Sequence, residues 1–436
     1  MNYTKIFYLL AVFTLIILFS AKNAQSQDTI SVMQYNLLFY GLFTDFCTEN
    51  NNNIDNKDEY LRTILGHFQP EILAVNELGG GVQNLSRIRD SVLNVNGVDY
   101  FENATYTNTG NGWFANGLFY DSRKFGLYDE VIVNSLLRDI NLYTLYYKSD
   151  DLEFTKDTVF ITVLVAHLKA GQTAEDQQTR TVMVSNAMNY LNNNNYSGNI
   201  LFIGDFNMRS SFEQAYQIMV NNANPNIQLF DPVDKPGVWG NNSDMALYHT
   251  QSPRTGSHPC FVTGGFDDRY DFILATKSIM EGLNGFSYIE DSYQAIGQDG
   301  NRFNQSLINP ANDSQPPEII NALYNMSDHL PVMLDMLVVD LQSSAEENYF
   351  KKFEINYNNP VSATLEIKIN SELLHEDKIE FEIYSVSGTL LMSNQLRKSQ
   401  SGGKFSIDTS FLKPGIYLLR FTIRDGYTYS GKLIKI

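Results

Sequence analysis

Long apolar runs are scarce in this chain. The one candidate lies at the N-terminus, where Lys5 precedes an almost wholly apolar stretch from Ile6 to Ser20 and Ala24-Gln25-Ser26 offers a small-x-small cleavage site. That run falls short of the ~20 residues a membrane span needs and predicts a secretory signal peptide over residues 1–26. No later segment is long and apolar enough to cross a bilayer, so no stable span is expected in the mature chain. Basic residues are also in deficit, 31 against 49 acidic, for a formal net charge of −18. The shortfall is localised. Residues 353–436 are nearly balanced, with ten Lys/Arg and nine Asp/Glu, and residues 1–26 hold two lysines, so 27–352 carries −21. So acidic a body excludes a general electrostatic attraction to nucleic acid. Cysteine is nearly absent, with Cys47 and Cys260 the only two. This rules out a disulfide-dense scaffold or a cysteine-based zinc cluster. In an exported protein the two can pair or stand free, and their number alone does not decide.

Between Ile30 and Val339, short apolar runs alternate with helical patterns. Ile30–Tyr35, Ile72–Val75, Phe160–Ala166, Phe272–Leu274 and Val332–Val339 read as strands. Leu61, Ile64, Leu65 and Phe68 fall at helical spacing, and Gln172–Leu191 carries Val182, Ala187 and Leu191 in a second helical pattern. The asparagine clusters at 50–53 and 192–195 read as loops. This predicts an α/β domain over 27–340. Residues 341–352 are polar and without apolar periodicity, which suits a linker. Beyond them, Leu365–Ile369, Ile379–Tyr384, Thr389–Met392, Ile416–Thr422 and Lys432–Ile436 predict a small all-β sandwich over 353–436.

The larger domain places polar residues at its strand ends. The stretch LFIGDFN at 201–207 leaves an apolar run with Asp205 and Asn207, which alternate about Phe206 and would share one face of an extended chain. Gly, Asp and Asn are also ordinary turn formers. The same pattern recurs. Asn36 closes the first strand, Glu77 follows the second, His167 follows another, Asp271 opens one, and Asp328 and His329 precede the last. Singly, each has a plain structural role as a turn residue, a surface charge, a satisfied core histidine or an ion pair. Together they form a set of hard oxygen donors suited to Mg²⁺, Mn²⁺ or Ca²⁺, with two histidines that titrate near neutrality. Such a set can activate water and stabilise charge on a phosphoryl group.

The ordered blocks QYN, NE, AHLKAG, GDFN, RYDFI and SDHLPV resemble those of the endonuclease/exonuclease/phosphatase superfamily, which includes deoxyribonuclease I-like enzymes, from about Ser31 to Leu337. The resemblance implies a four-layer sandwich, two packed β-sheets flanked by helices, with the site at one edge. It implies Glu77 as principal metal ligand with Asn36 and Asp328 nearby. Asp205 and Asn207 would position the attacking water and the scissile phosphate, His329 oriented by Asp271 would act as general base or phosphate-polarising cation, and His167 would face it across the cleft. Asn76 precedes Glu77 where the family commonly has Gln, and His167 stands where its apurinic-site endonucleases typically have Tyr. The implied activity is that of a secreted, divalent-metal-dependent phosphodiesterase. GDFN leans toward a nuclease acting on DNA or RNA, with sphingomyelinase-like and inositol-phosphate enzymes as alternatives and a non-catalytic surface binding module as a different class. The segments NNP at 358–360, FEIYSVSG, LKPGIYLLRF and the terminal GKLIKI resemble the type IX secretion sorting domain. That resemblance implies a partner in the secretion machinery and a product released or attached at the cell surface. An accessory β-sandwich that binds carbohydrate or protein is the other reading of the same fold.

Overall fold

The computed structural model describes residues 28–339 except 111, 150, 151 and 153–157, and residues 355–436 except 370–377, 386–388, 398–403 and 423–427. The expected signal peptide and linker lie outside the described residues. The chain divides into two compact units, with the boundary between Val339 and Asp340.

The first unit holds two mixed sheets, with strands numbered along the chain. One runs in the order β11 (Phe286–Tyr288), β13 (Val332–Val338), β1 (Thr29–Tyr40), β2 (Ile72–Leu78), β4 (Ala115–Asp121) and β3 (Phe101–Asn103), with β12 (Gln294–Ala295) also on β13. The other runs β5 (Phe125–Asn134), β6 (Ile140–Tyr147), β7 (Phe160–His167), β8 (Asn199–Asp205), β10 (Asp271–Thr276) and β9 (Leu229–Phe230). The period-two alternation of β7 explains the layering. Ile161, Val163 and Val165 meet Ile30, Val32, Ile72 and Leu118 of the other sheet in one core. Leu164 and Ala166 point the opposite way, into a second core with Met183, Ala187 and Leu191 of the helix Ala174–Asn193. The first sheet is covered likewise by the helices Ile54–Phe68 and Pro317–Met326 through Leu61, Ile64, Leu65, Ile319 and Leu323. Two packed sheets between helices give four layers. Strands covered on both faces are apolar throughout, which is why β7 and β8 stand out in the sequence.

Several element boundaries differ from the expected ones. The second long helix starts at Ala174 rather than Gln172, because Thr173 and Asp176 form a capping box. Strands β3 to β6 were not anticipated. β5 interrupts its apolar residues with Gly126 and the acids Asp129 and Glu130, and β4 carries Asn116 and Gly117 despite being wholly buried. The second unit is an all-β pair of sheets. One has the order β14 (Ile355–Tyr357), β15 (Thr364–Ile369) and β18 (Lys404–Asp408), and the other β17 (Leu390–Arg397), β16 (Lys378–Ser385), β19 (Gly415–Thr422) and β20 (Thr428–Lys435). Leu365, Ile367, Phe381, Ile383, Leu419, Phe421 and Leu433 form its core. No helix among the described residues is long and apolar enough to cross a membrane.

Candidate active site

Strand register builds half of the site. On the second sheet, His167 of β7 lies opposite Asp205 of β8, and Asp205 lies opposite Asp271 of β10. Three neighbouring strands thus bring a histidine and two acids into one row at the sheet edge. The first sheet supplies the other half. Asn36 donates from Nδ2 to Glu77 Oε1 at 3.1 Å and to Asp205 Oδ2 at 3.0 Å, joining the two sheets across their edge.

Asn36 and Glu77 both sit inside their strands rather than at the ends. β1 continues to Tyr40 through a break in its pairing with β2, with Leu38 and Phe39 at positive φ. Glu77 itself has φ 57°, at a point where the β2–β4 register shifts between Val75 and Leu78. Such a conformation costs on the order of 1–3 kcal/mol and needs compensating bonds. Asn36 provides one, and the Phe39 amide, which donates to Glu77 Oε2 at 3.2 Å, provides another.

The GDFN segment also departs from the extended reading. β8 ends at Asp205 and Asn207 has φ 54°, so the two side chains do not share a strand face by alternation. Asp205 Oδ1 instead accepts the Asn207 amide at 3.1 Å, closing an Asx-type turn, and Asn207 Nδ2 donates to the Leu168 carbonyl at 3.3 Å. The turn and site readings of the stretch are therefore the same structure. Phe206 anchors it, packed between Phe202 and Phe272.

His329 Nδ1 lies 2.7 Å from Asp271 Oδ2, and its Nε2 faces Asp205 Oδ2 at 3.8 Å. Gln251 places its amide 2.8 Å from the same Nε2 and can serve either protonation state by turning nitrogen or oxygen toward the ring. His167 Nε2 is 3.5 Å from Asp205 Oδ2 and 3.8 Å from Glu77 Oε1. Asp328 is buried and accepts the Val262 amide at 3.0 Å, while Ser327 Oγ ties its loop to the Asn36 carbonyl at 2.7 Å. All eight residues singled out in the sequence converge on this edge, linked by these bonds and by mutual electrostatic influence.

Burial dominates the electrostatics. It raises the Glu77 carboxyl, helped by Asp328, and raises Asp205, helped by Asp271 and Glu77. Asp328 is raised for the same reason. Burial alone would lower His329, but the Asp271 and Asp205 carboxylates outweigh it and hold the ring well above its ordinary value. His167 moves the other way, lowered by burial and then by Arg138 and His329, which leaves a neutral imidazole. So many carboxylates at one buried edge suit a bound cation. Ligand atoms of Glu77, His167 and Asp205 all lie within 4.8 Å of one another, a compact donor set that fits a divalent ion.

Other participants were not picked out by sequence reasoning. Lys57 is buried and donates from Nζ to the carbonyls of Leu37, Leu38 and Met326 at 2.7, 2.8 and 2.7 Å. It therefore fixes the bend after Asn36 to the loop before Asp328. Burial pulls it down to about 7, with Asp328 and Glu77 opposing. A signal was present, since Lys57 falls on the stripe of Leu61, Ile64, Leu65 and Phe68. Arg138 bonds the carbonyls of His167 and Leu168. Asn76 has a definite task. Its Oδ1 accepts from Gln34 and from the Asp205 amide at 2.9 Å each, and its Nδ2 donates to Asn116 at 2.8 Å. It belongs to a buried amide network that positions Asp205.

Cys47 and Cys260 form a disulfide, packed against Leu38 and Phe261. The bridge spans 213 residues and joins the loops that follow Asn36 and precede Asp271. Replacing both with Ser should lower the unfolding free energy by about 2–4 kcal/mol, read as a reduced urea midpoint. An unchanged midpoint would show that the bridge contributes nothing to the fold.

Residues 356–436 match the family described as the secretion system C-terminal sorting domain. Such a domain indicates export, to the cell surface or beyond. No curated protein matches the chain. Among solved structures, the chain is similar to D. rerio TDP2 complexed with single-strand DNA product, at 14% identity over 71% of this chain and 99% of that one, with a TM-score of 0.44. It is also similar to the human Nocturnin catalytic domain with bound sulfate, at 15% identity, 72% and 97% coverage and a TM-score of 0.43. A third, the endonuclease/exonuclease/phosphatase from Beutenbergia cavernae, is 14% identical over 93% of this chain and 99% of its own, with a TM-score of 0.40. What each of these acts on is a property of that protein.

Proposed function

We propose that the chain is an exported, divalent-metal-dependent phosphodiesterase whose substrate is a nucleic acid. The observation that carries the reading is the row His167–Asp205–Asp271 joined to Glu77 through Asn36, with His329 held by Asp271. Glu77, His167 and Asp205, with Asp328 and Asn36 beside them, would hold Mg²⁺ or Mn²⁺, with Ca²⁺ as a further candidate. A bound divalent ion supplies charge to neutralise the phosphate and polarise its oxygens.

The chain's own groups divide the remaining work. Asp205, at the centre of the row, takes the proton of the attacking water as the water oxygen bonds to phosphorus and the P–O bond to the leaving oxygen breaks, and Asn207, whose amide it holds, orients water and phosphate. His329, kept cationic by Asp271, donates to a phosphoryl oxygen as negative charge grows there. Neutral His167 faces it across Asp205. The acidic body does not oppose this reading, because a cation held at the carboxylates inverts the local potential. The sorting domain supports export through the type IX machinery.

A rate panel tests the substrate: single- and double-stranded DNA, RNA, sphingomyelin and inositol phosphates with Mg²⁺. Polynucleotides are expected to be cleaved fastest. A sphingomyelin or inositol phosphate turned over far faster would replace the nuclease reading and leave the phosphoesterase one standing. Within the same assay Glu77→Gln should lose metal-supported turnover by ~10²-fold or more. Wild-type rates in that variant would remove Glu77 from the ligand set.

A further inference from the structure

A line of aromatic rings leads from solvent to the site. Phe46 is 45% exposed and meets Phe39 edge to face at 5.5 Å. Phe39 meets Phe114 edge to face at 4.7 Å, and Phe114 stacks over the His167 imidazole at 5.9 Å with an interplanar angle of 29°. The backbone of the same Phe39 bonds Glu77. Trp113, next to Phe114 in the chain, is 66% exposed, and Phe43, on the loop of Phe46, is also exposed. Large rings left in water beside a polar site have no part in the fold's core. The loop that carries Phe43 and Phe46 is fixed by the Cys47–Cys260 bridge.

We infer that Phe46, at the outer end of this line of rings, is a stacking platform for an unpaired nucleobase adjoining the scissile phosphate, so that the preferred substrate is single-stranded. The reading rests on the proposed phosphodiesterase function for the position of that phosphate. Its chemistry follows from charge. With −21 on residues 27–352, the surface cannot track many phosphates of a duplex. Stacking draws affinity from the base itself, since every base has a π-face, and a cation held at the site's carboxylates would meet the adjoining phosphate. A lipid surface is disfavoured by Asp45, an exposed carboxylate between Phe43 and Phe46 that would have to enter the headgroup layer with them. A base stacked on a ring leaves Asp45 in water.

The experiment uses the two tryptophans, of which Trp239 is fully buried and Trp113 exposed. The mature protein with Mg²⁺ is titrated with a phosphorothioate oligothymidylate and with an abasic oligomer of equal length and charge. Saturable quenching by oligothymidylate is expected, with affinity roughly ten-fold or more above the abasic oligomer. Phe46→Ala and Phe46→Leu should each weaken oligothymidylate binding by about ten-fold and leave abasic binding alone, because both lack a ring face. Equal affinity for the two oligomers overturns the proposal, as does full affinity in Phe46→Leu, absence of binding, or a blue shift produced only by sphingomyelin vesicles. Base-dependent quenching without any cleavage keeps the subsite and removes the phosphodiesterase reading. Cleavage of DNA without base-dependent quenching does the reverse.

Discussion

His329→Ala should lower kcat on a phosphodiester by roughly 10²–10⁴-fold with little change in KM, because the ring contributes mainly when charge develops on the phosphoryl oxygens. Asp271→Asn should act in the same direction more weakly and add a diagnostic shift. The Asp271 carboxylate is the leading cause that holds His329 above its ordinary value. If His329 works as a protonated donor, activity is lost as pH rises through its pKa. Removing the Asp271 charge lowers that pKa, so the alkaline limb of the pH–rate profile moves to lower pH. A profile that stays in place while kcat falls would assign Asp271 a packing role alone. A KM effect without a kcat effect in His329→Ala would place the ring in binding rather than chemistry.

Lys57→Met should destabilise the fold by about 3 kcal/mol or more, since it leaves buried carbonyls without donors. The three carbonyls belong to the bend after Asn36 and to the loop before Asp328. Activity should therefore fall even at temperatures where the variant is fully folded, as Asn36 and Asp328 lose their common anchor. Urea unfolding measures the first effect and turnover of the folded variant the second. Unchanged stability would mean that the loops hold themselves in place. Normal turnover in a destabilised protein would confine Lys57 to a structural role.

What the sequence made legible follows from how each part of the fold is covered. β7 and β8 are buried on both faces, so FITVLVAH and NILFIGD read as strands without help from context. β5 and β6 pair at the outer edge of their sheet, and β5 mixes acids, glycine and exposed apolar residues, which blurs its period. Asp205, Asp271 and His329 were visible because they end or open clear apolar runs. The positive φ of Glu77 and Asn207 was not, since neither residue type demands it; tertiary bonds from Asn36, Phe39 and Asp205 hold those conformations. Lys57 shows a different gap. Its place on a helical apolar stripe was legible, but the three carbonyls that justify a buried cation come from segments 20, 19 and 269 residues away. Nothing in the sequence marks Phe46, and only its exposure at the end of the ring line to His167 distinguishes it.

The most direct test is the hydrolysis of a simple phosphodiester by the purified mature protein, stripped of metal with EDTA and then reloaded. Activity should vanish on stripping and return with Mg²⁺ or Mn²⁺, as expected of buried carboxylates that need a cation to act together. Full turnover after exhaustive metal removal would contradict the metal-dependent phosphodiesterase reading at its centre.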